Sequence, residues 1–160
     1  MNEITSRYFD YNEPRPHEKT GEVRLLADLP DQDWVTLAQH SETRRYAPGS
    51  TIVEAGARDE SLYFLLKGLV GAVLPHDSMH FKKIDAPSVL GEVSFIDGGP
   101  RSVRLVALSE CELLRLSIDS FHVLTAYEPE LGRAILTAIA RILAMRLRIA
   151  TELLDSHRGD

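Results

Sequence analysis

A single cysteine, Cys111, stands among 160 residues. That excludes a disulfide framework and fits a reducing compartment. Within its strand-like run Cys111 reads as a small core residue rather than a reactive thiol. Long apolar runs are missing as well. Nothing is long enough to span a membrane, and no N-terminal apolar stretch has the shape of a signal peptide. The expectation is a cytoplasmic protein with no membrane partner. Positive charge is not in excess: the net charge of −6 argues against a general nucleic-acid binder. The six histidines are scattered, and only His76 and His80 lie close together, in a loop that reads as an exposed hairpin tip. Neither a metal-ligand constellation nor a nucleophile–base pairing stands out, so no metal and no enzymatic activity are expected.

What is present suits one domain: 160 residues with an apolar fraction of 44%. Residues 1–20 are polar and interrupted by Pro14 and Pro16, and read as a flexible arm in which Tyr8, Phe9 and Tyr11 are the groups able to dock. A short helix is expected from Val23 to Pro30. A second follows, with Asp31 as its N-cap and Trp34 anchoring it to the rest of the domain. From about 45 to 116 the pattern changes to short strands punctuated by Gly, Pro, Asp and Ser. The strands expected are Thr51–Glu54, Leu62–Lys67, Leu69–Leu74, His80–Ile84, Ser88–Leu90, Ser102–Ala107 and Glu112–Leu116, with one more near Arg45–Ala47. So many short strands imply a β-roll or jelly-roll barrel flanked by helices, a mainly β, α+β fold. Helices return at 117–155: one capped by Ser117 and burying Phe121, Val123 and Leu124, then a long one with Pro129 in its first turn. Residues 156–160 form a tail.

One stretch concentrates polar chemistry. An apolar strand, Ser88-Val89-Leu90, runs through Gly91-Glu92 into the short turn Val93-Ser94-Phe95, and Gly98-Gly99-Pro100 then breaks the chain before Arg101-Ser102. Gly91 lets backbone approach a ligand, and the N–H groups at the start of the turn can face an anion. Arg101 brings a cationic fork suited to phosphate, Ser102 a hydroxyl, and Glu92 an acceptor for a sugar hydroxyl. Alone, Arg101 would read as an ordinary strand arginine in a surface ion pair. With Gly91, Glu92 and Ser102 at this spacing it reads as part of a site for a ribose and a phosphate.

This stretch resembles the phosphate-binding cassette of the cyclic-nucleotide-binding domain family, whose pattern is roughly F-G-E-x-A-L-x-x-x-x-P-R-x-A. The resemblance extends upstream through Gly49-Ser50-Thr51-Ile52 to Gly56 and through Asp59 to Val70. It covers about 21–155 and is similar to the sensor domain of the bacterial cyclic-AMP receptor class. It implies backbone donation from Gly91, Val93 and Ser94, a ribose 2′-hydroxyl contact at Glu92, and a cyclic-phosphate contact at Arg101 with Ser102 beside it. Departures accumulate away from the phosphate. Pro87-Ser88 replaces the usual Gly-Asp, Leu90 the Phe, and Val103-Arg104 the Ala-Thr. Val103, Arg146 and Leu147 are the candidate base contacts, and the base itself stays open, with cAMP ahead of cGMP.

The long final helix carries two apolar stripes, Leu131, Ile135, Ala138, Ile142, Met145, Ile149 and Leu136, Ile139, Leu143, Leu147, Ala150, Leu154. One docks on the barrel. The second either broadens that face or meets its copy in a homodimer, with Ile142 and Ile149 near the seam. The chain ends where receptor-class transcription factors continue into a helix-turn-helix, so direct nucleic-acid binding is not expected. The reading is a non-catalytic cyclic-nucleotide sensor that signals through its final helix to an unknown protein effector. The alternative is a degenerate domain that binds no nucleotide and serves as a dimerisation or interaction module.

Overall fold

The computed structural model describes residues 29–156. The arm at 1–20, the short helix expected from Val23, and the tail beyond Ser156 lie outside the described residues. The elements in order are α1 (Asp31–Gln39), β1 (Glu42–Tyr46), β2 (Thr51–Val53), β3 (Ser61–Lys67), β4 (Leu69–Leu74), β5 (Asp77–Asp85), β6 (Ser88–Leu90), α2 (Glu92–Asp97), β7 (Arg104–Ala107), β8 (Cys111–Ser117), α3 (Ile118–Tyr127) and α4 (Pro129–Ser156). The strands form two four-stranded antiparallel sheets, ordered β1-β8-β3-β6 and β2-β7-β4-β5. This is the expected β-roll with flanking helices.

The alternation of side chains explains the layering. On β3, Leu62 and Phe64 join the cluster that faces the helices, while Tyr63 and Leu65 join the cluster between the sheets. On β8, Leu114 and Leu116 face the helices and Cys111 and Leu113 the inside of the roll. The central strands β3 and β8 of the first sheet are therefore buried on both faces, which is why Leu62-Tyr63-Phe64-Leu65 is continuously apolar rather than alternating. Each fully buried large side chain contributes about 1.5–3 kcal/mol. Trp34 packs edge-on against Phe64, ring centres 6.0 Å apart, and joins α1 to this layer. Buried Cys111 donates its S–H to the Leu69 carbonyl at 3.3 Å.

Several boundaries differ from the sequence reading. Asp31 is the first helical residue of α1, and Pro30 precedes it without any side-chain cap; Asp33 N–H instead donates to the Pro30 carbonyl at 2.9 Å. β5 begins at Asp77, leaving Pro75-His76 as the hairpin tip, because strand pairing with β4 continues past the polar residues. β7 begins at Arg104 and β1 at Glu42. Ser117 caps α3 as expected, accepting from Ser120 N–H at 3.1 Å. Val123, however, is 50% exposed, since α3 buries only Phe121 and Leu124 against the roll and α4.

Packing of the final helix cuts across its two stripes. Leu131, Ile135, Ile139 and Ile142 are buried in the protomer's own core. Ile142 is 1% exposed and is not at a seam between subunits. Leu136, Leu147 and Leu154 remain exposed.

Candidate functional site

Gly91 sits at φ 81°, the left-handed region, where it turns the chain from β6 into α2. The first helical bond of α2 runs from Phe95 N–H to the Gly91 carbonyl at 3.1 Å, so the amides of Glu92, Val93 and Ser94 stand ahead of the first α-helical bond. A side chain at position 91 would run into the Arg101 guanidinium and lie 3.0 Å from the Ser61 carbonyl. Glycine is thus demanded twice, by conformation and by the closeness of arginine.

Arg101 is buried, and both its backbone and its side chain are tied down. Its N–H donates to the Ala57 carbonyl at 2.9 Å, and its own carbonyl accepts from Gly56 N–H at 2.8 Å. Nη1 donates to the Gly91 carbonyl at 2.9 Å and Nη2 to the Ser61 carbonyl at 2.6 Å. Asp59 lies 3.3 Å from Nη2, and the guanidinium stands over the Tyr63 ring at 5.7 Å. Among the described residues, Nε of Arg101 is the buried side-chain nitrogen left with no hydrogen-bond partner. An orphaned donor on a braced cation is a place for an anion's oxygen.

Asp59 holds this arrangement from behind. It accepts from the Tyr63 hydroxyl at 2.8 Å and from Arg115 at 3.3 Å, in addition to pairing with Arg101. Burial pushes its carboxyl up, but hydrogen bonds from Ser61 and Tyr63 and the charges of Arg101 and Arg115 outweigh that and bring it to about 2. Burial and the bond to Asp59 push the Tyr63 hydroxyl up to about 12.

Glu92 is buried at the mouth of the same turn. Its Oε1 pairs with Nη1 of Arg146, which reaches over from α4. A carboxylate has two oxygens and several lone pairs, so this pairing leaves acceptor capacity for a ligand hydroxyl.

These groups surround a cavity of about 370 Å³. Every candidate named from the sequence lines it: Gly91, Glu92, Val93, Ser94, Arg101 and Ser102 from the turn, and Val103, Arg146 and Leu147 from β7's approach and α4. Of the pair Val103-Arg104, Val103 faces the cavity and Arg104 is exposed. The sheet β2-β7-β4-β5 supplies an apolar wall from Val53, Ala72, Ile84 and Leu105, and α4 adds Leu143, Ile149 and Ala150. The sequence reading missed Asp59's support of Arg101 and missed Lys82, which lines the cavity from β5. The signal for Lys82 was present: in Phe81-Lys82-Lys83-Ile84, Lys82 shares a strand face with Ile84.

A family model, the cyclic nucleotide-binding domain, matches residues 43–127. The chain belongs to the cyclic nucleotide-binding domain family. Among curated relatives, Glutaminase 2 of Bradyrhizobium diazoefficiens is 28% identical over 96% of this chain and 24% of its own length. The cAMP-activated global transcriptional regulator of Salmonella typhimurium is 26% identical over 77% of this chain and 58% of its own. The chain spans less than two thirds of each. Among solved structures, the Thermus thermophilus Catabolite Activator Protein superposes with a TM-score of 0.72 at 26% identity, covering 84% of this chain and 62% of that one. The domain thus recurs in proteins of different overall size and name. Among the described residues no helix is long and apolar enough to cross a membrane.

Proposed function

We propose that this domain is a non-catalytic sensor of a cyclic mononucleotide and reports occupancy through its final helix to a protein effector. The observation that carries the reading is Arg101: a buried, fully braced guanidinium whose orphaned Nε belongs to a side chain lining a cavity beside Gly91 and Glu92. In this reading the cyclic phosphate accepts from Arg101 and from the turn amides, with Ser102 beside it. Glu92 keeps Oε1 on Arg146 and offers its other oxygen to the ribose hydroxyl. Glu92 then links the sugar to α4, and a nucleotide in the cavity biases the position of that helix. Relatives named for cAMP support an adenine ligand.

The exposed stripe of α4 supports a homodimer. Positions 136, 140, 143, 147, 150 and 154 alternate in steps of four and three, as the seam of a paired helix requires, and carry Leu, Ala, Leu, Leu, Ala and Leu. Left bare, Leu136, Leu147 and Leu154 would form an apolar strip of a kind soluble monomers seldom expose.

Thermal melts with cAMP, cGMP and a cyclic dinucleotide test the sensor. Ligand at a hundredfold over its dissociation constant should add about 2.7 kcal/mol of stability. No shift with any of them at millimolar concentration favours the interaction-module reading instead.

A further inference from the structure

Arg146 stands where the helical period calls for an apolar residue. Ile135, Ile139 and Ile142 run down one face of α4 in steps of four and three, and all three are buried in the core. The next steps along that face are Arg146 and Ile149, which line the cavity instead. Among the described residues the buried side chains of α4 end at Ile142, and one turn later the Arg146 side chain is 27% exposed. A cation set half-buried in that register needs an answering charge. Glu92 supplies it, with Oε1 on Nη1 of Arg146.

The pairing matters more to Glu92 than to Arg146. Glu92 is the first residue of α2 and is only 4% exposed. An isolated carboxylate so deeply buried takes up a proton or turns toward water, and in either state it is a poor acceptor at a fixed place. The other charged residues lining the cavity are Arg101 and Lys82. Arg101 is engaged with the Gly91 and Ser61 carbonyls and with Asp59. The charge paired with Glu92 comes from α4. A guanidinium on Oε1 keeps the carboxylate ionised and fixes where its remaining lone pairs lie. The fixed point is firm, because α4 is rooted in the core at Ile142, one turn away.

We infer that Arg146 is a positioning residue for the ribose: it holds Glu92 rather than the base, and sets that carboxylate to accept the 2′-hydroxyl of a cyclic ribonucleotide. This rests on the cyclic-nucleotide reading and takes Arg146 out of the base contacts expected from the sequence. The consequence is a preference for ribose over 2′-deoxyribose that depends on a residue acting through Glu92. A hydrogen bond to a charged group changes affinity by about tenfold or more.

Calorimetric titration of the full chain with cAMP and 2′-deoxy-cAMP, and with cGMP and 2′-deoxy-cGMP, tests it at fixed ionic strength. The titrations are repeated on Arg146→Met and Arg146→Lys, with a ligand-free melt of each. For whichever base binds, the wild type should take the ribose form about tenfold more tightly than the deoxy form. Arg146→Met should lose that advantage by weakening the ribose ligand, while its affinity for the deoxy ligand changes less than threefold. Arg146→Lys, which keeps the charge, should retain most of the advantage. Equal weakening of both ligands in Arg146→Met would make Arg146 a structural residue of the cavity and overturn the inference, as would an unchanged ribose advantage. Equal affinities for the ribose and deoxy forms in the wild type would overturn it too, by removing Glu92 as the sugar contact, and would leave the phosphate site standing. No heat from any of the four ligands would sink the sensor reading itself, and the inference with it. Arg146→Gln takes the place of Arg146→Met if that variant does not fold; failure of both to fold would make the ion pair a requirement of the fold and overturn the inference.

Discussion

Arg101→Lys separates the two tasks of this side chain. The guanidinium bonds the Gly91 and Ser61 carbonyls at 2.9 and 2.6 Å and pairs with Asp59 at 3.3 Å, and its Nε is still without a partner. A planar fork of five N–H groups can do this; a lysine ammonium, with three donors at one point, cannot span two carbonyls and a ligand at once. Losing a charge-assisted bond to phosphate costs about 1.5–3 kcal/mol, which is roughly ten- to a hundredfold in affinity. Losing one carbonyl bond costs the fold about 1–3 kcal/mol out of a total of about 5–15, so the variant stays folded. Arg101→Ala is the poorer probe. It strands two carbonyls and a partly buried carboxylate together, costs about 3 kcal/mol or more, and reports on folding as much as binding. Calorimetry at fixed ionic strength, with a ligand-free melt of the same sample, measures both quantities. The expected outcome is a melting temperature lowered by several degrees and a nucleotide affinity lowered at least tenfold. A lowered melting temperature with wild-type affinity would refute the reasoning, because the fork would then be a brace and nothing more.

Three further outcomes are expected. The Asp59 carboxyl titrates at about 2 in the fold against an ordinary 3.8. Its folded value is depressed, so the stability it contributes is present above pH 4 and lost as pH falls toward 2. Asp59→Asn should flatten that part of a urea-midpoint-versus-pH curve, and superimposable slopes would rule Asp59 out. Gly91→Ala should cost about 1–2 kcal/mol for the left-handed conformation alone, and more because the new Cβ displaces the Arg101 guanidinium; a melt and a titration should both register it, and unchanged binding would detach Gly91 from the site. Leu136→Glu combined with Leu154→Glu puts charges on the exposed stripe of α4 away from the cavity lining. Light scattering should show a dimeric wild type and a monomeric variant that still binds nucleotide, whereas a monomeric wild type at tens of micromolar would remove the dimer.

Much of this protein was decided by residues close together in the chain. The turn from Leu90 to Ser102 carries Gly91, Glu92 and Arg101 at fixed spacing, and the left-handed turn at Gly91 is encoded locally. The same holds for Ser117 capping α3 and Pro129 opening α4. The roll itself was legible because strand length, turn residues and apolar runs are short-range signals.

What the sequence could not determine is which of several equivalent faces meets which neighbour. Ile142 and Leu147 stand on adjoining stripes of α4, and either stripe satisfies the helical period. Docking on Phe121 and the β3–β8 layer selects Ile142 for burial and leaves Leu147 exposed. Val123 is apolar and helical, yet α3 needs only Phe121 and Leu124 to pack. Asp59 and Arg101 lie far apart in sequence and become an ion pair because the Gly56–Ala57 loop is stitched to the Arg101 backbone. Lys82 reads as one charge among several until β4 and β5 pair and the pleat turns it toward the cavity. Local spacing specified the turn that carries Gly91, Glu92 and Arg101; the contacts between sheets and helices specified its bracing, its walls and the surface left over.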